Sequence, residues 1–296
     1  MNRLQAMETF VRVVETGSFS AAARNLGVGQ PAVSKVIAIL EARLGVRLLV
    51  RSTRRLQPTE AGQAFHERAR RVLEEADEAE SAARGLGKGL EGRLRVCAPV
   101  TFARLHVIPR LASFLATHPK LRLELVMDDR NVDLLEEGID VALRLGTLKE
   151  SSLTARRIQE GERLVVASAN YLSRHGAPKT PAELAAHEAI IYLQSVGGEE
   201  WRFRKGTAES SVQIHSRLAF TAAEGVREAV IAGLGIAIAS RWMMTPELAA
   251  GTVVPVLTDW ILPSISLWAI FPSGRLPSAK ARAFALWFEQ DFVVDQ

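Results

Sequence analysis

The sequence predicts a small helical N-terminal domain, one long helix and a larger C-terminal α/β domain. Three observations lead to this prediction. Residues 18–62 hold two short helical patterns, a glycine turn and a basic hairpin pattern; the next residues repeat apolar side chains at spacings of four and three; and from Leu94 onward strand and helix patterns alternate. With 296 residues and 48% apolar content, the chain can build a sizeable core for each part.

Two helices joined by a tight turn are predicted within the first 45 residues. Ser20 is expected to cap the first helix, which starts with three alanines and ends before Gly27. The second is expected to begin at about Gln30, with Gly29 as its N-cap and a buried stripe of Val33, Ile37, Leu40 and Leu44. The opposite face is small, polar and basic, as suits a helix that enters a DNA major groove about 12 Å wide, and comprises Pro31, Ser34, Lys35 and Ala38.

A basic hairpin pattern follows, in which strand-like residues 46–50 precede three closely spaced arginines. Residues 1–60 contain nine Lys/Arg and four acidic residues, whereas the whole chain has a net charge of only +4. A phosphate-binding surface requires such a concentration of positive charge. The alternative is a small helical core with ordinary surface arginines. We predict DNA contacts from Gln30, Pro31, Ser34, Lys35, Arg51, Arg54 and Arg55.

Several short motifs follow one another here: Ala22–Ala23 with Leu26, Gln30 to Ser34, Leu40–Glu41 with Leu44–Gly45 and Leu48, and Arg51, Arg54, Thr59, Ala61 and Gly62. In these motifs the segment resembles the winged helix-turn-helix of LysR-type transcriptional regulators. The family usually has Ser where this chain has Gly29, and the loss of a capping hydroxyl to Gly typically costs a few tenths of a kcal/mol. We therefore expect the helix to form and a hydroxyl contact to the DNA backbone to be absent.

A long helix with a heptad seam is predicted after Thr59, its N-cap, over roughly 27 residues or about 40 Å. Its predicted dimerisation stripe is Phe65, Ala69, Val72, Ala76, Ala79 and Ala83. The alternative is a helix packed on its own domain. The glycine-rich residues 85–93 are expected to form a hinge; their G-x-G-x-x-G follows a helix pattern, so it does not indicate a dinucleotide site. The resemblance implies a homodimer, and commonly a homotetramer.

The remaining residues alternate between strand and helix patterns. Strands are predicted at 94–98, 121–127, 141–145, 164–167, 189–192, 212–214, 218–220, 235–239 and 265–271. Helices are predicted at 103–117, 132–137, 181–185, 223–232, 243–249 and 279–288. Such alternation forms open sheets covered by helices.

The resemblance extends over essentially the whole chain and implies a finer layout. It places a winged helix-turn-helix at 1–58, a linker helix and hinge at 59–90, and an effector-binding domain at 91–296. This α/β effector domain has two Rossmann-like lobes, as in periplasmic binding proteins: lobe I over about 91–163 and 267–296, and lobe II over about 164–266.

A small-molecule effector is expected where strands end and helices begin. The strand before Thr101 leads into a helix whose free N–H groups favour an anion. Topology and resemblance together indicate Thr101, Phe102, Arg144, Gly146, Thr147, Trp201, Thr221 and Glu224 as effector-binding residues. The expected effector is anionic or aromatic. Structural roles remain open alternatives: Thr101 as a helix cap, Trp201 in the core and Arg144 in an ion pair.

Catalytic and metal-binding patterns find little support. The six histidines are dispersed, no nucleophile elbow or P-loop occurs, and Asp128–Asp129 fits a solvated turn. The single cysteine, Cys97, lies in a strand pattern that favours a buried thiol over a redox sensor. No cofactor or metal is expected. The N-terminus resembles an amphipathic helix rather than a signal peptide, and no apolar run is long enough to span a membrane, so we expect a cytoplasmic protein.

The sequence therefore favours a transcription regulator that is not an enzyme, binds double-stranded operator DNA and responds to an effector; contact with the transcription machinery stays open. Two other classes compete with it. One is a small-molecule binding protein whose N-terminal helices only oligomerise, and the other is an α/β enzyme with a regulatory arm. The positive charge confined to residues 1–60 disfavours the first, and the lack of a catalytic constellation disfavours the second.

Overall fold

The computed structural model describes residues 2–51, 56–83, 90–148, 154–194, 199–272 and 277–292. The chain folds into two units, Met1–Lys88 and Gly89–Gln296. In its described residues the first unit contains α1 Arg3–Thr16, α2 Phe19–Leu26, α3 Gln30–Leu44, β1 Leu49–Arg51, β2 Leu56–Pro58 and α4 Glu60–Ala83. Strands β1 and β2 pair antiparallel. The predicted order of helix, turn, helix and hairpin is confirmed.

The caps of α2 and α3 define the turn between them. Ser18, rather than the predicted Ser20, caps α2: its hydroxyl accepts a hydrogen bond from the Ala21 N–H at 3.3 Å. Gly27 ends α2 with φ at 67°, a left-handed conformation that suits glycine. The predicted start of α3 is confirmed, with Gly29 as an N-cap that lacks a side-chain bond.

The core of the first unit lies between α1, α2 and α3. Val33, Ile37 and Leu40 of α3 are buried in it together with Phe10 of α1, because α3 turns the predicted apolar stripe inward. The prediction for Leu44 is wrong: its side chain is 39% exposed at the end of the helix, beyond the part of α3 that the core covers.

The described residues of the second unit form two five-stranded sheets. The strands of the first are β3 Glu91–Ala98, β4 Lys120–Met127, β5 Val141–Leu145, β6 Thr154–Gly161 and β14 Ile265–Phe271, in the order β4-β3-β5-β14-β6. The strands of the second are β7 Arg163–Ser168, β8 Ala189–Tyr192, β11 Leu218–Phe220, β12 Ile236–Ser240 and β13 Val253–Val256, in the order β11-β8-β12-β7-β13. A separate hairpin pairs β9 Glu200–Lys205 with β10 Ala208–Gln213. We call the layers around the two sheets lobe I and lobe II.

Parallel and antiparallel pairs occur in both sheets. In lobe I, β3 runs parallel to β4 and β5, and β14 runs antiparallel to β5 and β6. In lobe II, β8 runs parallel to β11 and β12, and β7 runs antiparallel to β12 and β13. The parallel pairs place the carboxyl ends of β3, β4 and β5 together, which is where such sheets bind ligands.

The helices of the second unit cover these sheets. They are α5 Val100–Phe102, α6 Leu111–Thr117, α7 Ala169–His175, α8 Ala223–Ile231, α9 Thr245–Ala250 and α10 Ala279–Asp291, with 3₁₀ turns at Pro181–Ala186 and Arg241–Met243. A π turn, Ala103–Val107, and a 3₁₀ turn, Ile108–Arg110, connect α5 to α6. The predicted helix at 103–117 is therefore a succession of α, π and 3₁₀ turns, and it begins at Val100 rather than at residue 103.

One predicted helix, at 132–137, is wrong. The Asp133 Oδ1 accepts the N–H groups of Leu135 and Glu136, at 2.8 and 3.1 Å, which starts a turn as a helix cap would. Gly138, with φ at 66°, ends this segment after a single turn, so no helix forms. The sequence patterns also missed β6, α7, β9 and β13. Of these, β6 carries a polar sequence, TARRIQEG, without the alternation that marks a half-buried strand.

Candidate functional site

The first candidate surface is the outward side of α3. Gln30, Pro31 and Lys35 are exposed and Ser34 is half-buried. The Ser20 hydroxyl donates to Gln30 Oε1 at 3.0 Å, which leaves the Gln30 amide N–H groups for an outside acceptor. Ile39, which is 42% exposed, adds an apolar side chain at the border of this face that the sequence prediction did not include.

The hairpin is fastened to the helices on both of its sides. Glu41 of α3 accepts the N–H groups of Leu48 and Leu49 at 2.8 and 3.1 Å. Thr59 donates its hydroxyl to the Arg47 carbonyl at 2.8 Å and accepts the Gly62 N–H at 2.9 Å, which confirms it as the cap of α4. Together these hydrogen bonds tie residues 47–49 to α3 and to the start of α4. They hold β1 in place next to α3.

Of the three hairpin arginines that we predicted to contact DNA, Arg51 ends β1. Arg54 and Arg55 lie outside the described residues. A further basic side chain, Arg47, is 85% exposed just before β1, and its Nη1 lies 3.5 Å from Glu41 Oε2. Arg47 belongs to the basic segment of residues 1–60, but no local pattern had indicated a role for it.

The predicted dimerisation stripe divides along α4. The Phe65 ring lies 5.3 Å from the Phe10 ring of α1, and Ala69 is 1% exposed. The interpretation of these two residues as partner-facing therefore needs correction, because α1 of the same chain covers them. Val72 is 42% exposed and Ala76 is half-buried. Ala79 and Ala83 also lie on α4, whereas most of the predicted hinge, at 84–89, lies outside the described residues.

The second candidate site is the edge where the two lobes of the second unit meet. Thr101 of α5 is 2% exposed, and its hydroxyl donates to Glu224 Oε2 of α8 at 2.7 Å. Glu224 Oε1 accepts a hydrogen bond from Arg104 at 2.7 Å. The structure thus brings Thr101 and Glu224 together, as predicted. Thr101 and Glu224 form a hydrogen bond with each other, and Arg104, which was not predicted from the sequence, also donates to Glu224.

The anion site that we expected at the start of the 100–117 segment is filled by the chain itself. Asp129 Oδ1 accepts the Val100 N–H at 2.9 Å, and Asp129 Oδ2 accepts the Ala223 N–H at 3.1 Å. The interpretation of Asp128–Asp129 as a solvated turn describes the turn at Asp128 but not its solvation, because this carboxylate pairs with Arg130 at 2.8 Å and its side chain is only 19% exposed. It is wrong for Asp129. We call Asp129, Glu224 and the first turns of α5 and α8 the inter-lobe edge.

Arg144 and Tyr192 lie near this edge. Arg144 Nη1 donates to the Asp128 carbonyl at 3.1 Å, whereas its Nη2 is buried with no hydrogen-bond partner among the described residues. Burial, reinforced by the negative charge of Asp129, raises the pKa of Tyr192 to about 12. The phenol therefore stays neutral at physiological pH. Tyr192 ends β8 of lobe II, and sequence reasoning missed it because nothing in its local pattern marks it.

Two predicted effector residues belong to hydrophobic cores. Phe102 is 3% exposed and packs against Trp242, Phe288 and Phe292 in lobe I. Trp201 is 5% exposed in the core of lobe II, as its structural alternative proposed. Their interpretation as pocket walls is corrected, because buried neighbours in the same chain cover both rings.

The other predicted effector residues lie at loop positions. The Gly146 carbonyl accepts the Trp268 indole N–H at 2.9 Å, and Gly146 itself has φ at 122°, which favours glycine. Thr147 and Thr221 are exposed, and the Thr221 carbonyl accepts a bond from Gln194 at 2.9 Å. Thr221 is two residues before α8 and adjoins the inter-lobe edge.

Cys97 is fully buried in β3, as predicted. Burial raises the pKa of its thiol, which keeps the sulfur in the unreactive protonated form. Within the described ranges, no group of three or more His, Cys, Asp or Glu side chains could hold a metal ion. None of the helices that the structure describes combines the length and apolar character needed to cross a membrane.

The two units match two family models. Residues 4–63 match the bacterial regulatory helix-turn-helix protein of the lysR family, and residues 87–292 match the LysR substrate binding domain. Together these matches cover both candidate sites. The chain belongs to the LysR-type transcriptional regulator family, and it is a transcription regulator with a DNA-binding helix-turn-helix and an effector-binding domain.

Individual relatives agree with this assignment. A transcriptional repressor of Pseudomonas aeruginosa is 36% identical over 99% of this chain and 93% of its own length. An uncharacterised regulator of Haemophilus influenzae is 32% identical over 97% of this chain and all of its own length. The structure of CrgA, a LysR-type regulator from Neisseria meningitidis, aligns with a TM-score of 0.59 at 30% identity, covering 99% of this chain and 97% of CrgA. These relatives are named as regulators, which points to a role other than catalysis.

Proposed function

We propose that this regulator binds double-stranded operator DNA as a homodimer in the cytoplasm, and that a small molecule at the inter-lobe edge modulates this binding. The observation that supports the DNA contact best is the outward side of α3, where Ser20 aligns the exposed Gln30. Helix starts that carry such side chains reach base edges in the major groove. The helix-turn-helix family that residues 4–63 match is bacterial, and bacterial chromosomal DNA lies in the cytoplasm, which is the reason for the proposed location.

The proposed roles of the DNA-contacting residues differ. Gln30, Ser34 and Lys35, with Pro31 beside them, face base edges and nearby phosphates from α3. Arg51, Arg54 and Arg55 hold the phosphate backbone from the hairpin. Base contacts determine sequence preference, whereas phosphate contacts determine the strength of binding to every sequence and its dependence on salt.

Gln30→Ala is expected to relax sequence preference by about 1–3 kcal/mol at particular base pairs, because one hydrogen-bonding amide is removed from the groove. Arg54→Ala is the matched contrast: it should weaken all sequences alike and make the salt slope shallower by about one unit. Gel shifts with operator variants at several salt concentrations separate the two effects. Unchanged sequence preference of Gln30→Ala would remove Gln30 from base recognition.

We propose that the homodimer forms along α4 from Val72, which is exposed, and Ala76 through Ala79 and Ala83. The helix has 24 residues and a length of about 36 Å, so its second half can extend as a paired rod. Two reading heads on one rod match inverted half-sites in DNA. Pairing of two such dimers into a homotetramer through the effector domains is the larger assembly that we propose for the full regulator.

Ala76→Glu is expected to break the dimer, because it places a charge inside a seam of small side chains. By linkage, it should weaken binding to a two-half-site operator far more than binding to one half-site. Light scattering measures the number of copies, and gel shifts compare the two DNA targets. Ala64→Glu is the matched control, since Ala64 lies exposed on α4 outside this stripe. An intact dimer of Ala76→Glu would contradict the interface.

For the effector, we propose the inter-lobe edge together with Arg144, Gly146, Thr147 and Thr221. Its support is the convergence of Thr101 and Glu224 from opposite lobes and the buried Nη2 of Arg144, which has no acceptor in the part of the chain that the structure describes. A ligand that breaks or rearranges the hydrogen bond between Thr101 and Glu224 changes how lobe I is held against lobe II. Phe102 and Trp201 contribute to this site only by supporting the lobes from inside.

A further inference from the structure

Two carboxylates bridge the inter-lobe edge in a reciprocal way. Asp129 belongs to lobe I and accepts one N–H from its own lobe, at Val100, and one from lobe II, at Ala223. Glu224 belongs to lobe II and accepts bonds from Thr101 and Arg104 of lobe I. Each lobe therefore supplies an acceptor that satisfies donors of the other.

The first-turn N–H groups of helices are the usual cradle for a ligand carboxylate or phosphate, because they lack partners within the helix. Here Val100 and Ala223 already donate to Asp129. A ligand carboxylate at this place has to displace the Asp129 carboxylate or lie beside it. Displacement is disfavoured because the tethered group has a high effective concentration, and close like charges repel each other.

Two donor groups near this edge favour a different ligand. Arg144 Nη2 is buried and has no acceptor among the described residues. Tyr192 ends β8 of lobe II, where it pairs with Phe220 of β11 and packs partly buried against the core of that lobe, and it carries a hydroxyl that can donate. An uncharged molecule with carbonyl or hydroxyl oxygens can accept from Arg144 and from Tyr192 without bringing a second negative charge next to Asp129.

We propose that Asp129 is a built-in substitute for an effector carboxylate, so that the inter-lobe site rejects carboxylate ligands and takes uncharged, oxygen-bearing ones. This inference rests on the proposed effector site. It revises the expectation of an anionic effector, and it gives Asp129 a role in specificity rather than in turn geometry alone.

The test uses the full chain, hydrogen exchange at the amides of Val100 and Ala223, and acetate as the probe, with acetamide as its uncharged analogue at matched ionic strength. In Asp129→Ala both amides should exchange on the order of tenfold faster than in the wild type. Acetate should restore most of that protection in the variant, because it fits the vacated place between the two N–H groups. Acetamide should not. In the wild type, acetate should leave both amides unchanged.

Asp128→Ala is the matched control, because it removes the neighbouring carboxylate, which pairs with Arg130 and not with the helix starts. In Asp128→Ala, the amides of Val100 and Ala223 should stay protected with or without acetate. If Asp129→Ala does not fold, Asp129→Asn takes its place: the carboxamide keeps one acceptor oxygen, so one of the two amides should lose protection. Acetate that protects the wild type, or a folded variant whose exposed amides acetate does not protect, overturns the proposal.

These exchange measurements concern Asp129 alone. The proposed effector site fails separately if a molecule that changes operator affinity of the wild type leaves exchange at residues 99–102 and 222–225 unaltered. The two failures are therefore distinguishable.

Discussion

Gly62→Ala is expected to destabilise the first unit by about 3 kcal/mol and to abolish specific operator binding. A Cβ atom on Gly62 lies 1.9 Å from the Leu48 carbonyl oxygen and 2.9 Å from its carbon. Both are backbone atoms, so no side-chain rotation relieves the clash. Since domain stabilities are about 5–15 kcal/mol, such a loss is a large fraction of the total.

The backbone around Leu48 cannot move away to make room. Glu41 holds the N–H groups of Leu48 and Leu49 from one side, and the Thr59 N–H donates to the Leu48 carbonyl at 2.9 Å from the other. Overpacking against atoms that are fixed on two sides either breaks these bonds or displaces the start of α4. Either result moves β1 and the hairpin relative to α3, which is the reason for the expected loss of operator binding.

Hydrogen exchange of the full chain measures this effect, because peptides from residues 37–51 and 56–66 report on the clamped region and peptides from 90–292 serve as an internal reference. Gly29→Ala is the matched control. Its Cβ meets only Pro31 Cδ at 3.6 Å, an ordinary contact, and the Gly29 φ of −74° suits any residue. If Gly62→Ala showed wild-type exchange and wild-type operator affinity, the close approach of α4 to the Leu48 carbonyl would not be required for stability or for DNA binding.

Trp242→Ala is expected to cost the second unit about 3–5 kcal/mol, the usual range for deletion of a buried large aromatic ring. Trp242 follows β12 of lobe II, yet its ring lies in the core of lobe I, with centroids 6.0 Å from Phe102 and 5.6 Å from Phe292. His106 Nε2 lies 2.7 Å from the Trp242 carbonyl oxygen, within hydrogen-bond distance. One residue thus joins both lobes.

The close fit around Trp242 explains the expected size of the effect. A Cβ on Gly161 lies 2.6 Å from the Trp242 ring, so the indole fills its space fully against the end of β6. Removal of the ring leaves a cavity that the surrounding aromatic side chains cannot close. Loss of this anchor also loosens lobe II against lobe I, and the contacts of the inter-lobe edge should weaken with it.

Urea unfolding of the full chain, monitored by hydrogen exchange at residues 90–292, measures this loss of stability. The first unit should unfold at the same urea concentration as in the wild type. Trp242→Phe should cost less, since it retains most of the ring. Trp260→Ala is the control for loss of an indole within lobe II alone, because Trp260 is only half-buried on that core. A Trp242→Ala protein as stable as Trp260→Ala would show that the ring does not join the lobes.

Local sequence patterns predicted the N-terminal unit well. The helix starts and ends follow from Gly27, Gly29 and Thr59, and the inward side of α3 follows from the spacing of its apolar residues. These features depend on hydrogen bonds and side-chain periodicity within a few turns, so neighbouring residues suffice to predict them. The same reasoning placed many of the strands of the second unit.

Local patterns failed where a residue has more than one possible neighbour. Phe102 and Trp201 are aromatic side chains near strand and helix ends, and the sequence cannot say whether such a ring lines a cleft or fills a core. Phe65 and Ala69 continue a heptad seam, and only the packing of α1 shows that the same chain covers them. The buried area of a side chain depends on which helix or strand from a distant part of the sequence packs against it, and this is a property of the whole fold.

The class of protein could be predicted from the amino-acid sequence, because the helix-turn-helix motifs and the segregation of charge are local and the family pattern extends along the chain. Which groups meet at the inter-lobe edge became known only from the folded chain. Asp129 accepts from Val100 and from Ala223, which lies 94 positions further along the chain. A carboxylate in a loop has the same local sequence whether it faces water or joins two helix starts. The difference is in long-range hydrogen bonds, which exist only after both lobes have folded.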